Sequence, residues 1–280
     1  MTREILGREL ERVLMMLESE VSERCNDLST LTGNILNEGF DVPRDVLDKI
    51  IGAAGELLQS PGPYSGNFIV FSGIDKVGKT TQCFNPKRIE GVTSIEDFLI
   101  SIGKKVLTTS LPSYNTLLGS IVGAYLRRGS ELVIKGKISK DYAWILWSLD
   151  RAQYNSKISK WLKLGIGQIV LSDRWMESNV VYQRMAGVDE KRILAFEKNI
   201  IKQNYTIILD MKPENIDDRF KLSGETKDLY ENISFLQDVR KTYLKLSEHY
   251  PFGNYQLIDS SRPPNLVNRA VIDYLKTLNL

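Results

Sequence analysis

With 280 residues, 42% of them hydrophobic and 26% charged, the chain has the composition of a globular protein built as one large domain, or one domain with an appendage. Its 37 Lys and Arg against 35 Asp and Glu leave a formal charge of +2, which excludes the broad basic field of a nucleic-acid binder, so a phosphate site must come from local cations. No run approaches the about 18 to 20 apolar residues of a membrane span, the start Thr2-Arg3-Glu4 is unlike a signal peptide, and Cys25 and Cys83 lack metal-type partners. A cytoplasmic protein with reduced thiols and neither membrane nor nucleic-acid partners is expected.

From Arg3 to about Val21, the apolar residues Ile5, Leu6, Leu10, Val13, Leu14 and Leu17 recur at three- and four-residue spacing and predict an amphipathic helix. Val46, Leu47, Ile50, Ile51 and Leu57 predict a second helix from about Pro43 to Leu58, with Pro43 in its first turn. The cluster Ser60-Pro61-Gly62-Pro63-Tyr64-Ser65-Gly66 cannot continue a helix and reads as a linker. The expected organisation is a helical N-terminal extension with linker over 1–66 and a second domain over 67–280.

Beyond the linker, short β-rich runs alternate with helical segments: Asn67–Phe71, Lys105–Thr109, Gln168–Ser172, Tyr205–Leu209 and Tyr255–Ile258. Continuous apolar strands of this kind are buried on both faces, which predicts an α/β fold with a five-stranded parallel sheet flanked by helices. The lone His249 has no second histidine for a metal pair or a dyad and reads as a surface residue.

Directly after the first strand stands Gly73-Ile74-Asp75-Lys76-Val77-Gly78-Lys79-Thr80, which fits G-x-x-x-x-G-K-[ST] in its strand-to-helix setting. Glycines let the backbone N–H groups curl around a phosphate, the next helix adds its positive end, Lys79 reaches the β- and γ-oxygens, and Thr80 offers a hydroxyl to Mg²⁺. The motif fixes a nucleoside triphosphate and leaves the acceptor open. With no Asn-Lys-x-Asp run to read guanine, a compact kinase is favoured over a switch or a motor. After the third strand, Asp173 and Arg174 stand where open α/β sheets bind ligands, suited to Mg²⁺ and to phosphate; a surface ion pair is the alternative.

These segments resemble the thymidylate kinase family from about Asn67 to the C-terminus. Gly73 to Gln82 is similar to its P-loop, Trp147-Ser148-Leu149-Asp150-Arg151 to its base-stacking segment, and Asp173-Arg174-Trp175 with Ser178, Asn179, Tyr182 and Gln183 to its D-R-[YFW] motif and following helix. Pro213-Glu214 through Arg219 resembles the approach to the lid, and Tyr230-Glu231-Asn232 with Phe235 the helix after it. The resemblance implies a P-loop NTPase fold and ATP- and Mg²⁺-dependent phosphorylation of dTMP to dTDP by a homodimer packed through helices flanking the sheet. It assigns catalysis to Lys79, Lys76, Arg174 and Asp75, and Mg²⁺ to Thr80 and Asp173. ATP falls to Gly73, Asp75, Lys76, Val77, Gly78, Lys79, Thr80, Thr81 and Arg219. For dTMP it names Asp75, Pro112, Trp147, Arg151, Arg174, Asn179, Tyr182 and Gln183.

Each role makes chemical sense: the Trp147 indole offers a stacking face and Arg151 donors for a carbonyl, although a tryptophan taken alone more often packs in the core. Asn179 can donate and accept at a base edge, and Tyr182 can crowd a 2′-hydroxyl. The stretch 221–229 has no arginine, so the mobile catalytic cation is expected in the P-loop as Lys76. Ser110-Leu111-Pro112 departs from the family's R-x-P, with Tyr114 or Arg127 as possible substitutes for that arginine. A relaxed deoxynucleoside monophosphate kinase, a catalytically weak regulatory module and a nucleoside kinase are therefore the competing readings.

Overall fold

The computed structural model describes residues 3–128, 132–215, 233–248 and 251–280. Arg219, the stretch 221–229, residues 230–232 and His249 lie outside these described residues. In chain order the elements are β1 (Arg3–Leu6), α1 (Gly7–Ser19), a π-helical turn (Glu20–Arg24), α2 (Leu28–Asn37), α3 (Arg44–Gly55), β2 (Asn67–Ser72), α4 (Lys79–Phe84), α5 (Ile95–Ser101) and β3 (Lys105–Ser110). They continue with α6 (Leu117–Tyr125), β4 (Leu132–Lys135), α7 (Lys140–Ala152), α8 (Asn155–Leu162), β5 (Gln168–Asp173), α9 (Met176–Met185), α10 (Glu190–Phe196), β6 (Tyr205–Asp210), α11 (Ile233–Glu248), β7 (Asn254–Asp259) and α12 (Pro264–Lys276).

The chain divides into two compact units. The first comprises Met1–Gly62, Leu111–Lys157 and Tyr182–Ile201. Here the predicted helix from Arg3 is corrected: Arg3–Leu6 is a strand that pairs in parallel with Leu132–Lys135, and the helix begins at Gly7. Pro43 stands outside α3 as its N-cap, so it fixes the entry to the helix and spares an N–H that would have no partner. Helix α2, missed in the sequence, is capped by Asp27, which accepts from the Thr30 N–H at 2.9 Å. Leu10, Val13, Leu14 and Leu17 of α1 are fully buried, and α1 and α3 both pack on α7.

The second unit comprises Pro63–Ser110, Ile158–Val181 and Lys202–Leu280. Its five strands are all parallel, in the order β3-β5-β2-β6-β7. The expected sheet is there, and the central strands β2, β5 and β6 are almost wholly buried because helices cover both faces. The edges β3 and β7 differ from the expectation of two buried faces: both are largely exposed or half-exposed, since an edge strand has one neighbour only. Phe68 of β2 packs edge-to-face on Trp175 at 4.9 Å, locking the start of α9 against the centre of the sheet.

In the first unit, the loop before α6 is held by close approach. A Cβ on Gly119 would lie 2.0 Å from the Ser113 carbonyl oxygen, a backbone atom that cannot yield as a side chain would. Gly119→Ala is expected to destabilise the protein by about 1–3 kcal/mol, read as a lower urea midpoint at unchanged slope.

Candidate active site

The second unit assembles the donor side. The turn after β2 carries three left-handed residues, Gly73 (φ 125°), Lys76 (φ 63°) and Gly78 (φ 101°), which curl the backbone into a cradle. Only glycine fits at the first, where a Cβ would stand 2.3 Å from the Leu209 carbonyl oxygen of β6. Val77 is buried beneath the turn, while Asp75 and Lys76 are half-buried and Thr80 is exposed. Helix α4 has six residues, so an anion held here would draw on the loop N–H groups and Lys79 more than on a helix dipole. Thr81 sits half-buried in its first turn.

Lys79 is 6% exposed and its Nζ donates to the Ile74 carbonyl at 2.8 Å. Burial, and then the positive charge of Arg174, push its pKa down to about 8, while Asp173 and Asp75 oppose the shift. Asp173, at the carboxyl end of β5, accepts from the Thr80 hydroxyl at 2.6 Å through Oδ2. Its other oxygen, Oδ1, is buried with no hydrogen-bond partner among the described residues. A carboxylate oxygen left over beside a threonine hydroxyl is a hard oxygen donor set, which fits Mg²⁺ held largely by phosphates and water.

Arg174 adopts a left-handed backbone (φ 71°) that is unusual for a long side chain. Its N–H donates to the Phe71 carbonyl at 2.8 Å, Nη1 donates to the Gly73 carbonyl at 3.1 Å, and Nη2 pairs with Asp75. Beneath it lies a buried polar cluster that the sequence did not reveal. Tyr243 of α11 meets the hydroxyls of Ser72 and Ser178 at 3.0 and 2.9 Å, and Glu177 accepts from Gln203 at 2.7 Å. Burial raises the pKa of Glu177, while hydrogen bonds from Ser72, Ser178 and the Trp175 N–H oppose the shift. Asn179, 2% exposed, stands on the same helix.

The first unit carries most of the residues expected to meet the acceptor. Trp147 is half-buried and lies edge-to-face on Tyr125 at 5.5 Å, whereas Trp144, one turn earlier, is fully buried against Phe196. Arg151 is 2% exposed; its Nη2 pairs with Glu197, which also accepts from Ser148 at 2.6 Å, and its Nε has no hydrogen-bond partner among the described residues. Glu197 escaped the sequence reading because it lies far along the chain on the turn after α10. Tyr182 and Gln183 are buried on α9, three and four residues after Asn179 and so on one face of that helix, and the Gln183 amide nitrogen has no hydrogen-bond partner among the described residues.

Pro112 follows a cis peptide in the loop whose Ser113 N–H donates to Asp150 at 2.9 Å. Burial pushes the pKa of Asp150 up to about 6, with that N–H opposing the shift. Of the two substitutes considered for the missing arginine, Tyr114 is engaged by Arg128, which donates to its hydroxyl at 2.9 Å, and Arg127 is exposed.

The sheet order, the phosphate loop after its central strand and the acid and arginine after the neighbouring strand define an α/β fold of the phosphate-loop class, and kinship makes the chain a phosphotransferase, a nucleoside monophosphate kinase. The thymidylate kinase family profile matches residues 71–271, and the chain belongs to that family. A probable thymidylate kinase of Methanocaldococcus jannaschii is 31% identical over 212 residues, covering 75% of this chain and 96% of its own length. A thymidylate kinase of Sulfurihydrogenibium sp. is 29% identical over 221 residues, covering 75% and 97% respectively. The solved structure of thymidylate kinase from Candida albicans superposes with a TM-score of 0.57 at 18% identity, covering 77% of this chain and 93% of that one, which establishes the shared fold.

The depressed pKa of Lys79 has a consequence for stability. Below pH 8 both folded and unfolded chains carry the proton and the buried charge opposes folding; between about 8 and 10.5 the folded chain releases it first, so stability rises with pH. Lys79→Met is therefore expected to stabilise the protein at pH 7 by up to about 3 kcal/mol, with the gain fading toward pH 10.5 in denaturation curves. Arg151→Ala has the opposite sign: it strands the buried Glu197 carboxylate and is expected to cost about 3–5 kcal/mol in the same measurement.

Proposed function

We propose that the chain transfers the terminal phosphoryl group of ATP to dTMP, giving ADP and dTDP, with Mg²⁺ as the accompanying ion. The observation that carries this reading is the pairing of Thr80 with Asp173 and of Arg174 with Asp75 and Gly73 beside the phosphate loop, in a chain of the thymidylate kinase family. Phosphoryl transfer asks little covalent chemistry of a protein; it asks for positioning and for positive charge where negative charge moves. In this reading the loop N–H groups from Gly73 to Thr80 and the Lys79 ammonium take the β- and γ-phosphates. Thr80 and Asp173 would hold Mg²⁺, which would supply positive charge against the phosphates. Arg174, steered by Asp75, and Lys76 supply charge to the moving group; Lys76 does so as a point charge and not as a planar fork.

For the acceptor, Trp147 offers the stacking face and the Arg151 guanidinium, turned by Glu197, the donor to a base carbonyl. Asn179, Tyr182 and Gln183 share one helix face and are assigned to base and sugar. Arg219 keeps its adenine role by resemblance alone, and residues 67–280 are taken as the kinase domain. A second reading, relaxed acceptor choice, is favoured by Ser110: it lies in register with Asp173, at the strand end where the family resemblance places an arginine. A lost charge-assisted hydrogen bond is worth roughly ten- to a hundredfold in affinity.

A coupled ADP-release assay with ATP and Mg²⁺ across dTMP, dUMP, dCMP, dGMP, dAMP and thymidine tests both. Turnover is expected to be highest with dTMP and to fall at least about a hundredfold in Lys79→Met. Trp147→Leu, which leaves the Arg151–Glu197 pair intact, is expected to raise the KM for dTMP about tenfold and leave that for ATP unchanged. Similar rates for several monophosphates would establish the second reading. Nucleotide binding without turnover on any acceptor would overturn both.

A further inference from the structure

The N-terminal segment has a role that the family match does not supply. The match begins at residue 71, and relatives of nearly complete length occupy only 75% of this chain, so the segment before the linker is an addition to the kinase. In the first unit this addition covers helices that need covering. Helix α6 (LLGSIVGAY) holds no charged side chain, and in α7 the run Ala143-Trp144-Ile145-Leu146 with Leu149 is buried on successive positions, which is wider than the single stripe of a surface helix. Such helices require neighbours on more than one side.

The added segment supplies them. Helix α1 packs on α7, α3 packs on both α6 and α7, the π-helical turn packs on α10, and β1 pairs with β4. The contact is polar as well as apolar, which fixes its register: Glu18 of α1 takes both nitrogens of Arg192 at 2.8 and 2.7 Å, and Glu11 accepts from the Ser139 N–H that opens α7 at 2.8 Å. Without the segment the α6–α7 face would be a broad bare aliphatic surface. Exposed patches of that kind mark interaction sites, and the homodimer that the family resemblance implies, packed through helices flanking the sheet, would be one cover for it.

We infer that residues 3–57 are a built-in substitute for a partner subunit: they occupy the α6–α7–α10 face in cis, and the chain is a monomer. A tethered cover outcompetes a second molecule because its effective concentration is in the millimolar range or above, on the order of what short linkers give. The inference replaces the homodimer expected from the family resemblance and is independent of which acceptor the kinase uses.

Sedimentation equilibrium of the full chain over about two decades of concentration tests it. The expected mass is 31.9 kDa throughout, and a dimer mass overturns the proposal. In the full chain, Leu14→Asp with Glu18→Arg is expected to open α1, seen as amide exchange at least about tenfold faster, and to double the mass as concentration rises. Rapid exchange in α1 with the mass unchanged overturns the proposal, as does an α1 still protected as in the parent. Glu18→Arg alone sits at a partly exposed position and leaves the core intact. It is expected to give the same shift to a smaller degree, and a mass and exchange pattern identical to the parent would sink the idea even if the double variant simply unfolds.

Discussion

The arrangement of the donor site depends on the backbone of one residue. In an extended strand successive side chains point to opposite faces, so a continued β5 would send Asp173 and Arg174 apart. The left-handed Arg174 breaks that alternation, and as a result Asp173 meets Thr80 at the far end of the phosphate loop while Arg174 meets Gly73 and Asp75 at its near end. A long side chain in this conformation costs on the order of 1–3 kcal/mol and persists only where its surroundings over-determine it. They do: its N–H is bonded to Phe71, its carbonyl accepts from the Ser172 hydroxyl at 2.6 Å, and its guanidinium has carbonyl and carboxylate partners.

The cluster of Ser72, Ser178, Tyr243, Glu177 and Gln203 extends that restraint into the core. Each neutral hydrogen bond is worth about 1 kcal/mol net, but leaving one member unsatisfied in the interior costs more than the bond contributes. The group therefore acts as a unit. It ties the end of β2, the first turn of α9, the chain entering β6 and the helix α11 to the one arginine, so a displacement of any of these elements is felt at the phosphate loop. The same interior carries Lys79, whose burial opposes stability; in the proposed reading that burial serves chemistry, because an ammonium stripped of water has the most to gain from a phosphate.

What the sequence revealed and what it hid follow from the range of the interactions. The phosphate loop and Asp173-Arg174-Trp175 were legible because the glycines, lysine and acid stand within a few residues of each other. The central strands were legible because burial on both faces writes an unbroken apolar run. Arg3–Leu6 read as helix because four residues with two apolar side chains fit either period, and only pairing with Leu132–Lys135 decides between them. Glu197, Tyr243 and Gln203 left no local signal: each earns its place through a partner dozens of residues away in the chain. Arg151 was foreseen as a ligand contact, but its carboxylate partner was not, and that partner decides how the arginine can be probed by substitution.

Helix α7 connects the added segment to the chemistry assigned to the acceptor. Trp147 and Arg151 lie four residues apart and so on one face of α7, and Asp150 of the same helix holds the loop of Pro112 through Ser113. The other faces of α7 rest on α1, α3 and α6. In the proposed reading this helix presents an indole and a guanidinium at fixed positions, and rotation about its axis would carry both tips away from the acceptor. Packing on three sides removes that freedom. The segment's value to the kinase is then mechanical: it makes rigid, within one chain, a helix whose apolar sides would otherwise have to be braced by another molecule.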